Sequence, residues 1–458
     1  MYKEDTIAAI ATPPGEGGVA IVRVSGPDAE IIVKKIFARD QGKNGPLRSH
    51  MLYHGSIREP GTTKCLDEVL LTVMRKPHSY TGEDVVEVYC HGGVLVVRQV
   101  LSAILAQGVR HAEPGEFTKR AFLNGRLDLS QAEAVLDLIR ARTEKGVEIA
   151  LSQVNGELSR WVGDLREQLL DILVQVEAAI DFPEEEIELL QRRDLVAKIV
   201  VLRDKIEEIT ESYNWGRLFR EGAKVCICGR PNVGKSSLLN ALLDDERVIV
   251  TPIPGTTRDV IEESLDLNGL PVVLWDTAGI RDTDDPVEKI GVDFSLRHIE
   301  KADVVIVVLD GSVSLTDADH AFLGLVRGKN SVVVINKNDL PQELDVEALR
   351  ERAGTIEMLF ISAKQRVGVD SLKQTLRNVV LGSTAEPEIV INNIRHKTTL
   401  ELGREALENA IVAIRKMEPP EIISVDLQKA KERLEEIVGI VDNDDILERI
   451  FMNFCIGK

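Results

Sequence analysis

The first part of the chain carries short β-branched runs that alternate with stretches of helical apolar spacing. Runs at 19–24, 68–73 and 84–89 predict β-strands, and the stretch at 94–105 places its apolar residues as an amphipathic helix does. Mixed strands and helices of this kind are typical of an α/β fold. We therefore expect an α/β domain over residues 1–122.

From about residue 130 the pattern becomes helical. Residues 131–142 and 147–178 carry apolar side chains three and four positions apart, with few glycines and many charges. Helical texture returns from 395 to 451, with an interruption at Pro419 and Pro420. The pattern predicts an all-α domain in two parts, 123–221 and 383–458, whose helices pack together around an inserted domain at 222–382.

The inserted domain opens with a phosphate-binding loop. Residues 229–236 read Gly-Arg-Pro-Asn-Val-Gly-Lys-Ser, between an apolar strand at 224–228 and a helix at 237–243. Glycines allow the tight turn that directs backbone N–H groups and the helix N-terminus at phosphates. In this loop Lys235 is expected to reach the β and γ phosphates and the Ser236 hydroxyl to bind Mg²⁺.

Three further motifs follow apolar strands at 272–276, 332–335 and 358–361. Asp276 is expected to hold Mg²⁺ through water, and the N–H of Gly279 to meet the γ phosphate. The Asp339 carboxylate can accept two N–H bonds from guanine, which adenine cannot supply, while the Lys337 stem lies over the base. Motifs at the ends of successive strands predict a doubly wound sheet, and the ordered set resembles the translation-factor-like GTPases. The expected GTP-binding residues are Asn232, Val233, Gly234, Lys235, Ser236, Ser237, Thr251, Pro252, Ile253, Pro254, Gly255, Thr256, Thr257, Asp276, Thr277, Ala278, Gly279, Asn336, Lys337, Asp339, Ser362, Ala363 and Lys364.

Two positions bear on how GTP would be hydrolysed. Ile280 stands where many small GTPases carry a water-orienting Gln, so another residue must take that role. Glu288 is the candidate, and a solvated acid at a helix start is the alternative. Asn232 could offer an amide oxygen to a monovalent cation, or could only shape the loop. Arg258 is either an arginine finger in cis or a member of a structural ion pair.

Composition narrows the class of protein. The net charge is −19 and aromatic residues make up 4%, which argues against a nucleic-acid coat protein and against base-stacking platforms. The five cysteines show no metal-binding spacing, and an odd number fits a reducing cytoplasm. The sequence has no apolar segment long enough to span a membrane and no signal-peptide pattern at its start. We expect a cytoplasmic protein.

Motifs outside the GTPase segment carry a specific resemblance. They are residues 5–15, 79–84 (Ser-Tyr-Thr-Gly-Glu-Asp), 91–93, 114–117 (Pro-Gly-Glu-Phe) and the terminal Asn-Phe-Cys-Ile-Gly-Lys at 453–458. Over its whole length the chain resembles the MnmE (TrmE) family of tRNA-modification GTPases. The resemblance implies a homodimer that forms a heterotetramer with a flavin-dependent partner, MnmG (GidA), on which alone FAD is bound. Together they would add a carboxymethylaminomethyl or aminomethyl group at carbon 5 of the wobble uridine of certain tRNAs.

The resemblance also implies site residues and cofactors. The one-carbon unit would come from 5-formyl- or methylene-tetrahydrofolate bound by the amino-terminal domain, which also mediates dimerisation. Potassium would stimulate hydrolysis and bring the two GTPase domains of the dimer together. The implied ligands are Asn232, Thr251, Ile253 and Thr256 for K⁺, Ser236 and Thr257 for Mg²⁺, and Arg23, Glu87, Arg126 and Lys458 for folate, with Glu288 and Lys235 catalytic. Arg126 replaces a lysine of a relative, which keeps the charge and changes the donor shape. Cys455 is either a nucleophile or a packed residue that shapes the folate pocket.

Two other functions remain open from the residues alone. A ribosome-assembly or translation GTPase would need an RNA-binding module or a second GTPase domain, and the sequence shows neither. A stand-alone folate enzyme with a regulatory GTPase domain would turn over without tRNA. We predict that the chain alone hydrolyses GTP and modifies nothing, and a product formed without tRNA would favour the folate enzyme.

Overall fold

The chain divides into two units, and among the residues that the structure describes each unit contains one β-sheet. The computed structural model describes residues 5–39, 45–181, 192–243, 263–276, 298–382, 386–440 and 444–458. The first unit comprises Met1–Leu136, Gln153–Gln191 and Val412–Lys458, and the second comprises Asp137–Ser152 and Arg192–Ile411. The four domain ranges expected from the sequence stay predictions.

The helices and strands have the following bounds. The strands are β1 Ile7–Ile10, β2 Gly17–Ser25, β3 Phe37–Arg39, β4 Leu52–Arg58, β5 Cys65–Met74, β6 Val85–Gly92, β7 Arg110–His111, β8 Ala223–Cys228, β9 Glu263–Leu267, β10 Leu270–Asp276, β11 Val304–Asp310, β12 Ser331–Asn336 and β13 Glu357–Phe360. The helices are α1 Ala29–Lys34, α2 Val94–Leu105, α3 Glu116–Leu123, α4 Leu129–Arg140, α5 Glu144–Val154, α6 Glu157–Asp181, α7 Arg192–Glu221, α8 Lys235–Leu243, α9 Asp317–Leu325, α10 Val346–Ala353, α11 Val369–Leu381, α12 Ile394–Arg415, α13 Pro420–Val438 and α14 Asp444–Phe451.

The amino-terminal sheet has the strand order β3-β4-β5-β6-β2-β1-β7. Its neighbouring strands are antiparallel except for β1 and β7, which run parallel. The three runs expected to be strands lie in β2, β5 and β6, and the expected helix at 94–105 is α2. Alternate side chains of the strands are buried against α2, because successive residues of a strand point to opposite faces. This confirms the α/β character of the first domain.

Helices from both sides of the inserted segment pack together in the first unit. Helix α6 buries apolar side chains along one face, and α13 does the same over Ile423–Ile437. An ion pair joins the two helices, because Arg166 Nε lies 2.7 Å from Oε1 of the buried Glu435. One detail differs from the sequence pattern: the stretch 147–178 is two helices, because Gly156 adopts a left-handed φ of 79° between α5 and α6.

The second sheet has the order β13-β12-β11-β8-β10-β9. Strands β8, β10, β11, β12 and β13 pair in parallel, and β9 adds an antiparallel edge. Every residue of β11 is buried, as expected for a parallel strand covered on both faces. Cys226 and Cys228 are buried in β8, and burial raises the pKa of the Cys228 thiol well above its ordinary value. The strand pairing and burial confirm the predicted doubly wound sheet.

The helix that leads into this sheet, α7, continues to Glu221, so that only Gly222 separates it from β8. Ile391 N donates to the Ser212 hydroxyl at 3.1 Å, so a buried hydrogen bond holds the returning chain beside α7. Within the described residues, no helix has the length and apolar content needed to cross a membrane.

Candidate functional site

The phosphate-binding loop lies between β8 and α8. Gly229 has a φ of 147° and packs against the carbonyl oxygen of Val308 so closely that a Cβ atom would not fit. Asn232 has a left-handed φ of 65°, which is uncommon outside glycine and best tolerated by Asn and Asp. The Lys235 ammonium donates to the carbonyl oxygens of Gly229 and Arg230, both at 2.9 Å. Lys235 therefore crosses the phosphate-binding loop and contacts its first two residues.

The loop is tied to the ends of the neighbouring strands by one buried side chain. Asn336, at the end of β12, is 3% exposed. Its amide nitrogen donates to Val233 O at 2.9 Å, and its amide oxygen accepts from Ala363 N at 3.0 Å. Asn336 thus joins the phosphate loop, the 336–339 motif and the 362–364 motif, which lie far apart in sequence.

The carboxylate expected to read the base is held in its charged form. The Ser362 hydroxyl donates to Asp339 Oδ1 at 2.7 Å. This hydrogen bond, together with the nearby Lys364 ammonium, holds the pKa of Asp339 below its usual value. An ionised carboxylate is an acceptor only, which is what two guanine N–H donors require. Ser362 and Asp339, which were predicted separately, are therefore one unit.

Several predicted nucleotide residues lie outside the described residues. Asp276 ends β10, in register with Ile227 of β8, and its side chain is not described. The others are Thr251, Pro252, Ile253, Pro254, Gly255, Thr256, Thr257, Arg258, Thr277, Ala278, Gly279, Ile280 and Glu288. Their roles stay predictions. The described members, from Asn232 to Ser237, Asn336 to Asp339 and Ser362 to Lys364, gather at the carboxyl ends of β8, β12 and β13.

The residues expected to bind folate gather in the first unit. Arg23 and Glu87 face each other across β2 and β6, and Arg23 Nε lies 2.8 Å from Glu87 Oε1. The other carboxylate oxygen of Glu87 accepts from the Tyr89 hydroxyl at 2.8 Å. Burial and this carboxylate raise the pKa of Tyr89 to about 12. The guanidinium carbon of Arg23 also lies 5.1 Å from the ring centroid of Tyr80, within cation–π range.

The carboxyl-terminal segment reaches this cluster. Phe117 N donates to Lys458 O at 3.2 Å, Gly115 N donates to Cys455 O at 3.4 Å, and Pro114 forms a bridge with Ile456. The Arg23 guanidinium also donates to Gly457 O at 3.4 Å. Burial, with the nearby charge of Arg23, lowers the pKa of the Lys458 ammonium. Three of the four expected folate residues are therefore close together.

The fourth residue, Arg126, lines a cavity beside this cluster. The cavity has a volume of about 570 Å³ and is lined by His50, Met74, Pro77, His78, Ser79, Tyr80 and Arg126. Tyr80 connects the two groups, because it stacks with Arg23 and forms part of the cavity wall. Its hydroxyl lies 2.9 Å from Thr118 Oγ1, and burial raises its pKa.

Sequence reasoning did not assign a role to Tyr80, Phe117 or Asp310. Tyr80 and Phe117 stand inside the motifs at 79–84 and 114–117, so the motifs were a signal that they serve the site. Asp310 has no motif of its own.

Cys455 is exposed, and its carbonyl oxygen accepts from the backbone N–H groups of Gly115 and Lys458. Among the described residues, no group of three or more His, Cys, Asp or Glu is placed to hold a metal ion.

Comparison with known proteins gives full-length matches. Profiles of the MnmE helical domain and of the GTP-binding protein TrmE N-terminus match residues 129–455 and 6–126. The chain is 45% identical over 457 residues to the tRNA modification GTPase MnmE of Natranaerobius thermophilus, covering 99% of this chain and 100% of that protein. It is 45% identical over 461 residues to the Alkaliphilus oremlandii protein of that name, with 100% of both chains covered. The Heliobacterium modesticaldum protein of that name is 46% identical over 463 residues, with 99% of both covered.

Proposed function

Because the chain belongs to the MnmE family of tRNA modification GTPases, we propose that it hydrolyses GTP to GDP and phosphate in the service of tRNA modification. Potassium stimulates the hydrolysis, and the chain works as a cytoplasmic homodimer with a flavin-dependent partner of the MnmG (GidA) kind. Together they modify carbon 5 of a wobble uridine to a carboxymethylaminomethyl or aminomethyl group, with a folate one-carbon unit. FAD belongs to the partner.

The hydrogen bonds of Asn336 support the proposal that the chain binds GTP. Asn336 joins the phosphate loop at Val233 to the backbone of Ala363, and Ser362 in turn holds Asp339. A carboxylate that accepts from guanine is thereby fixed at a set distance from the loop that would hold the phosphates. Such coupling suits a ligand with both a guanine base and a polyphosphate.

The donor set near the phosphate loop suits Mg²⁺ and K⁺. Both are hard cations that prefer oxygen, and the chain offers the Ser236 hydroxyl and the Asn232 amide oxygen there. We propose that Thr257 completes the Mg²⁺ site and that Thr251, Ile253 and Thr256 complete the K⁺ site. Bound K⁺ supplies positive charge beside the phosphates, as an arginine finger does in other GTPases. Lys235 neutralises the β and γ phosphates, and Glu288 places the attacking water.

The cluster in the first unit supports a folate site. A cavity of about 570 Å³ is within the usual range for a small-molecule pocket. Arg126 and Arg23 offer guanidinium groups to an anionic ligand such as the glutamate tail of a folate. The Glu87 carboxylate, held 2.8 Å from Arg23 Nε, can accept N–H bonds from a heterocycle. Lys458 adds a half-buried ammonium whose pKa is lowered, so it gives up its proton more readily than an ordinary lysine.

The first test is steady-state GTP hydrolysis in matched KCl and NaCl over a range of protein concentrations. We expect faster hydrolysis in KCl, rising with protein concentration, and the loss of most of this difference in Asn232→Ala. Asn240→Ala is the matched control, because it removes an exposed amide on α8 outside the loop. Equal rates in the two salts would remove potassium from the proposal and leave a GTPase that depends on an external activator.

The second test separates GTP hydrolysis from tRNA modification. The purified chain alone should hydrolyse GTP and leave tRNA unchanged, and modification of the wobble uridine should require the flavin-dependent partner. Product formed without tRNA would instead indicate a stand-alone folate enzyme.

A Glu288→Ala variant should keep its nucleotide affinity and have a lower kcat, because the residue acts in the transition state.

A further inference from the structure

A buried carboxylate next to the guanine motif has no role in the function proposed above. Asp310 is the last residue of β11 and pairs in parallel register with Asn336, the last residue of β12. The carboxyl ends of parallel strands meet at the same edge of the sheet. Asp310 therefore lies at this edge beside Asn336, and Lys337 is the next residue of the neighbouring chain segment. Asp310 is 8% exposed, and an aspartate is rarely buried to this degree unless it has partners.

Both carboxylate oxygens of Asp310 have assigned partners. Oδ1 accepts from the backbone N–H of Ser312 at 3.0 Å and from its hydroxyl at 2.7 Å. Oδ2 accepts from the Lys337 ammonium at 2.6 Å. Burial raises the pKa of Asp310, but the bonds from Lys337 and Ser312 outweigh it and hold the pKa below its usual value. Because Ser312 fixes one oxygen, the other is aimed at Lys337.

The lysine is constrained from its backbone as well. Lys337 has a left-handed φ of 65°, a conformation that a long side chain adopts only where its surroundings impose it. Its carbonyl oxygen accepts from Leu340 N and from the Gln342 amide, both at 3.0 Å. The backbone fixes where the side chain starts, and Asp310 fixes where its ammonium ends. The four-carbon stem between them is held along the edge of the sheet, two residues from Asp339.

We propose that Asp310 is a positioning residue for guanine recognition, which acts by holding the Lys337 stem ready as one face of the base pocket. The inference rests on the proposed function, since it assumes that Asp339 reads guanine. An unanchored lysine must give up its rotamer freedom when the base binds, and an anchored one has already done so. Removing the anchor should therefore weaken base binding through faster release, with little change in the association rate.

The experiment measures the association and release rates of a fluorescent GDP analogue with the full chain. Asp310→Asn keeps the shape of the side chain and removes the charge, and we expect release about tenfold faster, equal to about 1.4 kcal/mol. Lys337→Met keeps an unbranched apolar stem without the ammonium, and the same acceleration is expected. The matched control is Asp370→Asn, the same charge change at an exposed position in the same unit, which should release GDP as the wild type does.

The double variant distinguishes positioning from a general effect on the fold. If Asp310 acts through Lys337, Asp310→Asn combined with Lys337→Met should release GDP no faster than either single variant. A multiplied loss in the double variant, or wild-type release from Lys337→Met, overturns the proposal, because the carboxylate would then stabilise the sheet edge only. Lack of GDP binding by the wild type would contradict the proposed function instead.

Discussion

Gly457 holds the carboxyl-terminal segment against the first domain, and its replacement tests whether that docking makes the folate site. Gly457 has a φ of 99°. A Cβ atom there would lie 2.9 Å from the carbonyl carbon of Ile10 and 3.0 Å from Ala11 Cα, and closer still to the Ile10 carbonyl oxygen. These are backbone atoms at the end of a buried strand, so they cannot yield as a flexible side chain would. In Gly457→Ala the terminal segment itself has to move.

The size of the effect follows from two contributions. A left-handed backbone costs a residue with a side chain about 1–2 kcal/mol relative to glycine. The clash with the backbone of Ile10 adds to this, so the docked state loses at least about 2 kcal/mol relative to the undocked one, or about 30-fold in population. Gly108→Ala is the matched control: its φ is 90°, and nothing lies within 4 Å of the added Cβ.

Hydrogen exchange reports the docking without any ligand. The amide of Phe117 is bonded to Lys458 O and that of Gly115 to Cys455 O, so both should exchange at least tenfold faster in Gly457→Ala. Binding of a tetrahydrofolate derivative, measured by calorimetry, should weaken in parallel, because Lys458 moves away from the other expected folate residues, Arg23 and Glu87. Gly108→Ala should change neither. Wild-type exchange and wild-type folate affinity in Gly457→Ala would refute the reasoning.

Three further outcomes follow from single residues. Asn336→Ala leaves a buried carbonyl and a buried amide without partners, so urea unfolding of the GTPase segment should show a loss of about 2 kcal/mol, whereas a stability unchanged from wild type would contradict the bridging role. Asp339→Asn turns one acceptor into a donor and should shift nucleotide preference from guanine to xanthine in competition binding, with little change in stability. Glu116→Gln should lower stability at neutral pH, because burial raises the pKa of Glu116 but hydrogen bonds from Arg110 and Arg120 lower it more. Since the folded pKa lies below the unfolded one, the wild-type advantage is full above the usual value of 4.5 and should vanish as pH falls through the folded pKa.

The parts of the fold that sequence predicted are those encoded by neighbouring residues. The phosphate loop, the ends of β8, β10 and β12, and the parallel sheet all follow from apolar runs with a motif directly behind them. The helix break at Gly156 was missed because apolar spacing continues across it, and a single glycine within a helical pattern is a weak signal.

The parts that sequence could not predict depend on contacts between distant segments. Neither Asp310 nor Lys337 differs by type from many surface charges, and their pairing appears only when β11 and β12 lie side by side. Gly457 likewise gave no sign that it meets Ile10 near the other end of the chain. In both sites a left-handed residue directs a charged side chain: Lys337 at 65° carries its own ammonium, and Gly457 at 99° precedes that of Lys458. A positive φ at a lysine cannot be predicted from its residue type, so the backbone geometry that directs the Lys337 ammonium is visible only in the folded chain.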